Sequence, residues 1–365
     1  MSVKHCVASL VVLLVVAVCS SCPQQQPDQV STTPVASPAE QQPATPAAEP
    51  VKPAHAGKYV LEVDSYHEEY AWTGRLTGAV RDVLEPAGVE LEVIRLDAKR
   101  QRAEEFIAQA AADAWATIQE TRPDVVIVSD DIAVKHLVVP YLLGTDTPVV
   151  AVGINWDASI YGLPADNVCC QIEIALIDEI LVSLRKYAGG PRLGLLSTDT
   201  LTARKNIRYI KEYFDLEFEQ EYIAGSYSEY QRGFLNLQDE VDMFLVASNV
   251  GLPDMDKAAG IRFVTENYRI PSGTWNETFM QHCLIGVLKD PTEVGTWAAT
   301  TALSILDGTA PADVPAAANE RGLLQINMNV ADKLGVVFDT AVLKEATVIR
   351  PVDELAGGGQ ANDDS

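Results

Sequence analysis

The sequence has 365 residues, of which 47% are hydrophobic, and it carries a formal net charge of −24 at pH 7. This length is sufficient for two ordinary domains and a tail, and the hydrophobic content excludes a chain that is disordered throughout. The acidic balance excludes a nucleic-acid partner, because a phosphate backbone requires a basic surface.

The first 22 residues have the pattern of a targeting signal. Lys4 and His5 precede an apolar run over residues 7–18, which is followed by Cys19-Ser20-Ser21-Cys22. The run is shorter than the roughly 20 residues of a membrane span, so it predicts a secretory signal over residues 1–21. Small residues directly before Cys22 resemble a bacterial lipobox, which makes Cys22 the expected site of lipid attachment. The alternative is an ordinary cleaved signal without lipid.

Two further segments are predicted to have no fold of their own. Residues 22–57 are dense in Pro, Ala, Gln, Ser and Thr, and they contain few large apolar residues. Such a segment cannot bury enough surface to offset its chain entropy, so it predicts a disordered tether between the lipid anchor and a globular body. The acidic, glycine-rich residues 354–365 predict a loose tail.

From Lys58 onward, short apolar runs alternate with helical stripes, a pattern that is typical of an α/β fold. Continuously apolar strands indicate a parallel sheet that is covered on both faces. Helices are expected between most of the strands, with the clearest start at Asp290-Pro291, where an N-cap residue precedes proline. The predicted strands are 59–63, 91–96, 125–129, 149–152, 193–196, 218–223, 243–246, 262–265, 283–288 and 323–326.

The body contains Cys169, Cys170 and Cys283. An odd number of cysteines, two of them adjacent, does not indicate a disulfide framework, and the spacing does not fit a zinc site. Buried or free thiols are therefore expected, although a bridge from Cys169 or Cys170 to Cys283 stays open. No metal and no cofactor is predicted.

The stretch VLEVDSYHEEYAW, residues 60–72, is the centre of the functional prediction. An apolar run ends in a polar, aromatic-rich loop, and an amphipathic helix follows. This is the pattern of the first βα unit of an open parallel sheet, in which ligands bind at the carboxyl ends of the strands. The loop is therefore predicted to form one side of a ligand cleft.

Five stretches together carry a family resemblance: DSYHEEYAW at 64–72, RPDVVIVSDD at 122–131, TPVVAVGINWD at 147–157, LIGVLKDPTEVGTWAATTALSILDG at 284–308 and LQINMNVADKLGV at 324–336. In this order they resemble the ABC-transporter substrate-binding lipoprotein family of type I periplasmic binding proteins. That family is related to aromatic-amino-acid binders and to the sensory domains of bacterial histidine kinases. Each motif alone is mostly an apolar strand with a polar end. The specificity lies in the ordered set, which spans nearly the whole body.

The resemblance implies an α/β architecture of two doubly wound parallel-sheet lobes joined by hinge strands. The chain would cross between the lobes near Cys170, near His282 and near residues 311–315. Lobe one would then comprise residues 58–170 with 282–311, and lobe two residues 171–281 with 312–353. In proteins of this kind the lobes close about the hinge when ligand binds.

The ligand site is expected at the strand ends that face the opposite lobe. The predicted ligand-binding residues are Ser65, Tyr66, His67, Ser129, Asp130, Asn155 and Trp156 in lobe one, and Thr198, Ser248, Asn249 and Asn267 in lobe two. Asp130 or Asp131 could hold an ammonium group, helix N-termini could hold a carboxylate, and Tyr66 or Trp156 could cover a flat ring. Helix capping is the alternative role for Ser129 and Thr198, and packing is the alternative role for Trp72.

These features predict an extracytoplasmic, lipid-anchored solute-binding protein that captures a small polar or aromatic molecule, with an amino acid-like ligand favoured. Its expected partner is the permease of an ABC transporter. The alternative is a sensing module that delivers the liganded state to a sensor kinase. An enzyme is not predicted, because the sequence has no GxSxG elbow, HExxH motif or P-loop. His67 lies so close in sequence to Ser65 and Asp64 that the three cannot easily form a catalytic line.

Overall fold

The structure is a computed structural model that describes residues 53–252 and 254–350. The predicted signal peptide over residues 1–21, lipid attachment at Cys22, residues 22–52 of the tether and the tail over residues 354–365 lie outside the described residues. Residues 53–57, which were assigned to the tether, form a turn that is bonded to lobe one. The His55 backbone N–H donates to the Ala87 carbonyl at 3.0 Å. Residues 53–57 therefore belong to the folded body and not to the tether.

Strands and helices alternate through most of the described chain. The strands are β1 (Tyr59–Asp64), β2 (Glu90–Arg95), β3 (Val125–Ser129), β4 (Val149–Asn155), β5 (Val168–Glu173), β6 (Leu193–Thr198), β7 (Gln220–Ala224), β8 (Met243–Val246), β9 (Ser272–Thr274), β10 (Ile285–Lys289), β11 (Ala317–Ala318), β12 (Gly322–Asn327) and β13 (Thr347–Ile349). The α-helices are α1 (Ala71–Leu84), α2 (Glu104–Thr121), α3 (Asp130–Ala133), α4 (Ile177–Arg185), α5 (Leu201–Phe214), α6 (Tyr227–Glu240), α7 (Lys257–Asn267), α8 (Pro291–Leu306), α9 (Met328–Leu334) and α10 (Thr340–Glu345). A π-helical segment, Val134–Leu142, continues α3.

The strands form two sheets, one in each lobe. The first has the order β11-β5-β4-β3-β1-β2, and the second has the order β13-β12-β10-β9-β8-β6-β7. Neighbouring strands are parallel except β10 and β12, which pair antiparallel. The central strands are buried along their length, as sheets covered on both faces require. The predicted class, two parallel-sheet lobes joined by connecting segments, is confirmed.

The connecting segments lie later in the chain than predicted. The first passes through residues 174–176, just after β5; the second lies between β10 and α8, rather than near His282; the third lies between β11 and β12, rather than near residues 311–315. The apolar run at 283–288 does form a strand, but it pairs with β9 and β12 and so belongs to lobe two. An apolar run does not encode which of two sheets it joins, and that is why the assignment to lobe one was wrong.

Helix α8 nonetheless returns to lobe one, where it packs on α1. Leu76 and Val80 of α1 and Val294 and Ala298 of α8 share a buried core with Val60 of β1. Each large side chain buried there contributes roughly 1.5–3 kcal/mol. The packing fixes the orientation of α1, and therefore of the β1–α1 loop that precedes it.

Two further sequence expectations are settled by the fold. The strand predicted at 262–265 is wrong, because these residues lie inside α7, where Ile261 and Val264 are buried on one helical face. Cys169, Cys170 and Cys283 are free and buried.

No helix among residues 53–252 and 254–350 is long and apolar enough to span a membrane. Within the same residues, no cluster of His, Cys, Asp and Glu could hold a metal ion.

Candidate functional site

The β1–α1 loop is held in place by buried hydrogen bonds at the end of β1. Asp64 Oδ1 accepts hydrogen bonds from the Tyr66 backbone N–H at 2.7 Å and from Thr73 Oγ1 at 3.1 Å. Ser65 Oγ donates to the Ser129 carbonyl at 2.8 Å and accepts from the Ala133 N–H at 2.9 Å. Ser65 and Ser129 are buried, position the ends of β1 and β3, and line neither of the two cavities described below.

A cavity of about 310 Å³, here called the first cavity, lies where this loop faces the other lobe. Both lobes contribute to it: Tyr66 and Asp130 come from lobe one, and Trp275 and Leu288 come from lobe two. Its lining comprises Tyr66, Tyr70, Ala71, Trp72, Arg75, Asp130, Asn155, Glu173, Trp275, Asn276, Glu277, Thr278, Leu288 and Lys289.

A second cavity of about 300 Å³ lies on the lobe-two side. It shares Trp275, Asn276 and Thr278 with the first cavity, so the two are adjoining parts of one cleft. Its lining comprises Thr200, Thr202, Ala203, Asn206, Ala247, Ser248, Val250, Gly251, Trp275, Asn276, Thr278 and Phe279.

Carboxylates dominate the charge at the floor of the first cavity. Asp130 and Glu173 line it, and Asp131 lies directly behind them, where its Oδ2 accepts from Asn155 Nδ2 at 2.7 Å. Lys289 Nζ forms an ion pair with Glu173 and donates to Asn155 Oδ1 at 3.2 Å. This part of the cleft is therefore polar and acidic, and its hydrogen-bonding groups are held in fixed orientations.

The environment of Asp130 is unusual in two respects. Its backbone has φ = 76°, the left-handed conformation that side chains other than glycine rarely adopt. Burial, and then the negative charge of Asp131, raises the pKa of Asp130 to about 7. A carboxyl group in this state binds a cation better as the pH rises, because its ionised form becomes populated.

Trp156 does not line either cavity, contrary to the prediction. With φ = 69° at the end of β4, its side chain turns toward helix α5 of lobe two. The indole stacks on Tyr209, with ring centroids 5.7 Å apart and planes 2° apart, and its Nε1 donates to Asn206 Oδ1 at 3.1 Å. Trp156 therefore joins the two lobes beside the cleft.

The four ligand-binding residues that were predicted in lobe two lie in different surroundings. Ser248 lines the second cavity and accepts from Thr198 Oγ1 at 2.7 Å, so Thr198 supports Ser248 from behind. Asn249 is buried outside both linings. Asn267 is the last residue of α7, where its side chain donates to the Phe263 carbonyl at 2.8 Å. Its assignment to the cleft is wrong, because it depended on the strand that the structure replaces with a helix.

His67 lies at the edge of the β1–α1 loop. Its Nδ1 is 3.7 Å from Asp97 Oδ1, and its ring lies 5.9 Å from that of Tyr70. It lines neither cavity. Of the predicted set, the structure brings Tyr66, Asp130 and Asn155 together in the first cavity and places Ser248 in the second.

Sequence reasoning missed the segment after β9 and the ends of two connecting strands. Trp275, Asn276 and Thr278 follow a strand of three residues, Ser272–Thr274, whose small side chains give no apolar run. Glu173 and Lys289 end β5 and β10. A polar residue that ends an apolar run was the available signal for these two, and it points to the cleft only once the pairing of the strands is known.

The lobes, the connecting segments and the cleft between them define the fold of type I periplasmic binding proteins. A substrate binding protein with adhesive properties from Clostridium difficile, solved in a ligand-free, open form, has a TM-score of 0.64 and 15% identity, over 80% of this chain and 99% of that one. An ABC domain from Streptococcus pneumonia in complex with L-Trp has a TM-score of 0.51 and 18% identity, over 80% and 99%. A conserved domain protein from Vibrio cholerae has a TM-score of 0.51 and 14% identity, with the same coverage. At these identities the likeness shows the fold.

The family of the ABC transporter substrate binding proteins matches residues 199–349. No curated protein matches the chain. The resemblance inferred from the sequence is confirmed at this level: the matched residues are similar to ABC transporter substrate binding proteins, and the fold is that of type I periplasmic binding proteins. Members of this family are extracytoplasmic and typically have no enzymatic activity.

Proposed function

We propose that this protein captures a small polar or aromatic solute, with an amino acid-like molecule favoured, in the cleft between its lobes. It then presents the solute to the permease of an ABC transporter while it is held at the membrane by lipid on Cys22. The first cavity supports the choice of solute, because it combines aromatic walls with directional polar groups.

One observation carries the proposal: the first cavity is lined by both lobes, and it adjoins the second, lobe-two cavity at Trp275, Asn276 and Thr278. A solute bound there contacts both lobes, so it favours the arrangement in which they lie close together. A permease can recognise that arrangement. A sensor kinase could recognise it as well, and the membrane protein that co-purifies with the liganded chain distinguishes transport from sensing.

The test is a thermal-shift screen of the purified protein against amino acids, nucleosides, sugars and small carboxylates. A solute at 100 times its Kd stabilises the folded state by about 2.7 kcal/mol, which is readily measured. If no solute of these classes raises the melting temperature, the proposed function is wrong.

Variants test whether the solute binds in the cleft. Thr278 is exposed and lines both cavities, so we expect Thr278→Val to weaken a hit from the screen, whereas Thr296→Val on the outer face of α8 leaves it unchanged. Tyr66→Phe, which removes the hydroxyl beside Asp130, is also expected to weaken binding. Equal affinity in all three variants would place the solute elsewhere.

A further inference from the structure

Glu173, the last residue of β5, has one oxygen engaged and one free. Its side chain is 5% exposed, and its Oε2 pairs with Lys289 Nζ. Its Oε1 is buried and has no hydrogen-bond partner among the residues that the structure describes. Such an oxygen loses its hydration without compensation, which costs more for an ionised group than for a neutral one. Because Glu173 lines the first cavity, a donor on a bound solute is the candidate partner for this oxygen.

Asp130 approaches the same point from β3 across Gly153. A methyl group at Gly153 would lie 3.2 Å from the Asp130 backbone nitrogen and 3.6 Å from Glu173 Oε1. Gly153 has φ = 72° and lies at the irregularity in the pairing of β4 with β5. The absence of a side chain there lets the Asp130 backbone approach Glu173 Oε1, and both acidic side chains line the first cavity, where the charge of Glu173 acts on Asp130.

The charges around this space do not balance. Asp130, Asp131 and Glu173 are acidic, and Lys289 is the nearby cation that pairs with one of them. Both carboxylate oxygens of Asp131 already accept hydrogen bonds: Oδ2 accepts from the Asn155 side chain, and Oδ1 accepts from the Tyr161 hydroxyl at 2.9 Å. Arg75 and Glu277 also line the first cavity; both are exposed, and their charges are opposite in sign.

Lys289 shows which chemistry the pocket accepts. Its ammonium group contacts a carboxylate of Glu173, the amide oxygen of Asn155 and the face of Trp72, whose ring centroid is 5.5 Å away. Carboxylate, amide oxygen and aromatic face are the partners that favour ammonium groups. Asp130, Glu173 Oε1 and the rings of Tyr66 and Trp275 offer a similar set to a solute.

We propose that Asp130 and Glu173 form a subsite for a compact cationic group, such as a primary ammonium, and that the solute of this protein carries such a group. The inference rests on the proposed function, since it names the chemical class of the solute. Glu173 is then a specificity-determining residue, and Lys289 holds its other oxygen in place.

The test uses matched pairs of probes that differ in the ammonium group: L-phenylalanine with 3-phenyllactate, phenethylamine with 2-phenylethanol, and L-leucine with 2-hydroxy-4-methylpentanoate, together with neutral sugars and nucleosides. Calorimetry on the unaltered protein gives the Kd of each. We expect the ammonium member of a pair to bind at least tenfold more tightly than its partner. This measurement requires no variant, so it is independent of any effect of substitution on folding.

Glu173→Gln and Asp130→Asn keep the shape of the subsite and remove its charge. Each is expected to weaken the ammonium probe tenfold or more, while Glu120→Gln, at an exposed carboxylate of α2 outside both linings, changes its Kd less than threefold. If a sugar, nucleoside or hydroxy acid binds in the cleft and the Glu173 and Asp130 variants leave its Kd unchanged, the cationic subsite is wrong while the proposed function stands. If no probe of any class binds, the proposed function fails as well.

Discussion

Trp156 and Tyr209 stack across the two lobes, with parallel rings whose centroids are 5.7 Å apart. Trp156 follows the fourth strand of lobe one, and Tyr209 lies on α5 of lobe two. Any arrangement in which the lobes separate must break this contact and the adjoining hydrogen bond from the indole to Asn206. The pair therefore biases the lobes toward the arrangement that forms the cleft.

We expect Tyr209→Ala to favour separated lobes. An aromatic pair contributes about 0.5–1.5 kcal/mol beyond its buried area, so the affinity for a cleft solute should fall by roughly twofold to tenfold. The radius of gyration of the unliganded protein, measured by small-angle X-ray scattering, should increase. Tyr141→Ala is the control, because Tyr141 stacks on Trp115 within lobe one. It should lower the melting temperature without changing the radius, and an unchanged radius in the Tyr209 variant would contradict the expectation.

Asp130 predicts how binding of an ammonium solute depends on pH. Its pKa is raised to about 7, so its ionised form becomes populated as the pH rises through that value. The affinity of the unaltered protein should therefore increase between pH 6 and pH 8 and then level off. The groups that face Asp130 are Tyr66, Asp131 and Glu173, with Lys289 beyond Glu173.

Calorimetry at several pH values measures this dependence, and Asp130→Asn should abolish most of it. A Kd for an ammonium probe that is the same at pH 6 and pH 8 in the unaltered protein would contradict the prediction.

Glu62 predicts a separate pH effect on stability. It is buried on β1, where Thr77 Oγ1 donates to it at 2.6 Å, and burial raises its pKa from 4.5 to about 7. Between these two values the folded state holds more protons than the unfolded state, so the free energy of unfolding decreases as the pH rises. The full effect is on the order of 3 kcal/mol.

The Glu62→Gln variant should therefore gain melting temperature relative to the unaltered protein at pH 8, and gain less or none at pH 5. Thermal melts without ligand at the two values measure the difference. An equal change at both would show that the ionisation of Glu62 does not contribute.

Two helical glycines should respond to alanine in opposite directions. A methyl group at Gly295 of α8 would lie 2.2 Å from the Leu76 carbonyl oxygen of α1, so Gly295→Ala must push the two helices apart. Such overpacking typically costs about 1–3 kcal/mol. Gly78 of α1 has no atom within 4 Å of the corresponding position among the described residues, so Gly78→Ala should stabilise the protein by about 0.5–1 kcal/mol. Denaturant unfolding of both variants checks the signs, and the same sign in both would contradict the packing of α1 on α8.

The sequence was informative where burial produces a pattern. Strands β3 and β8 were predicted with their observed bounds, because each is a continuous apolar run. The same signal failed at residues 262–265, where Ile261 and Val264 face the core one helical turn apart. A short run of large side chains fits either a strand or one face of a helix, and tertiary packing decides between them.

The cleft was predicted only in part because it depends on how distant segments are brought together. Tyr66, Asp130 and Asn155 follow recognisable strands, so their place at the sheet edge could be expected. The position of Trp156 depends on a left-handed backbone conformation, which the sequence around it does not reveal. Glu173 and Lys289 became neighbours through the order of the strands and not through their spacing in the chain.

The return of α8 to lobe one has a consequence for synthesis. While the ribosome is still translating β6 to β10 of lobe two, α8 has not yet been made. The apolar side chains of Leu76 and Val80 on α1, which α8 covers in the folded protein, are then exposed to solvent. Lobe two in turn waits for β12 and β13, the last strands of the described chain. Each lobe is therefore completed by a segment that is synthesised after part of the other lobe.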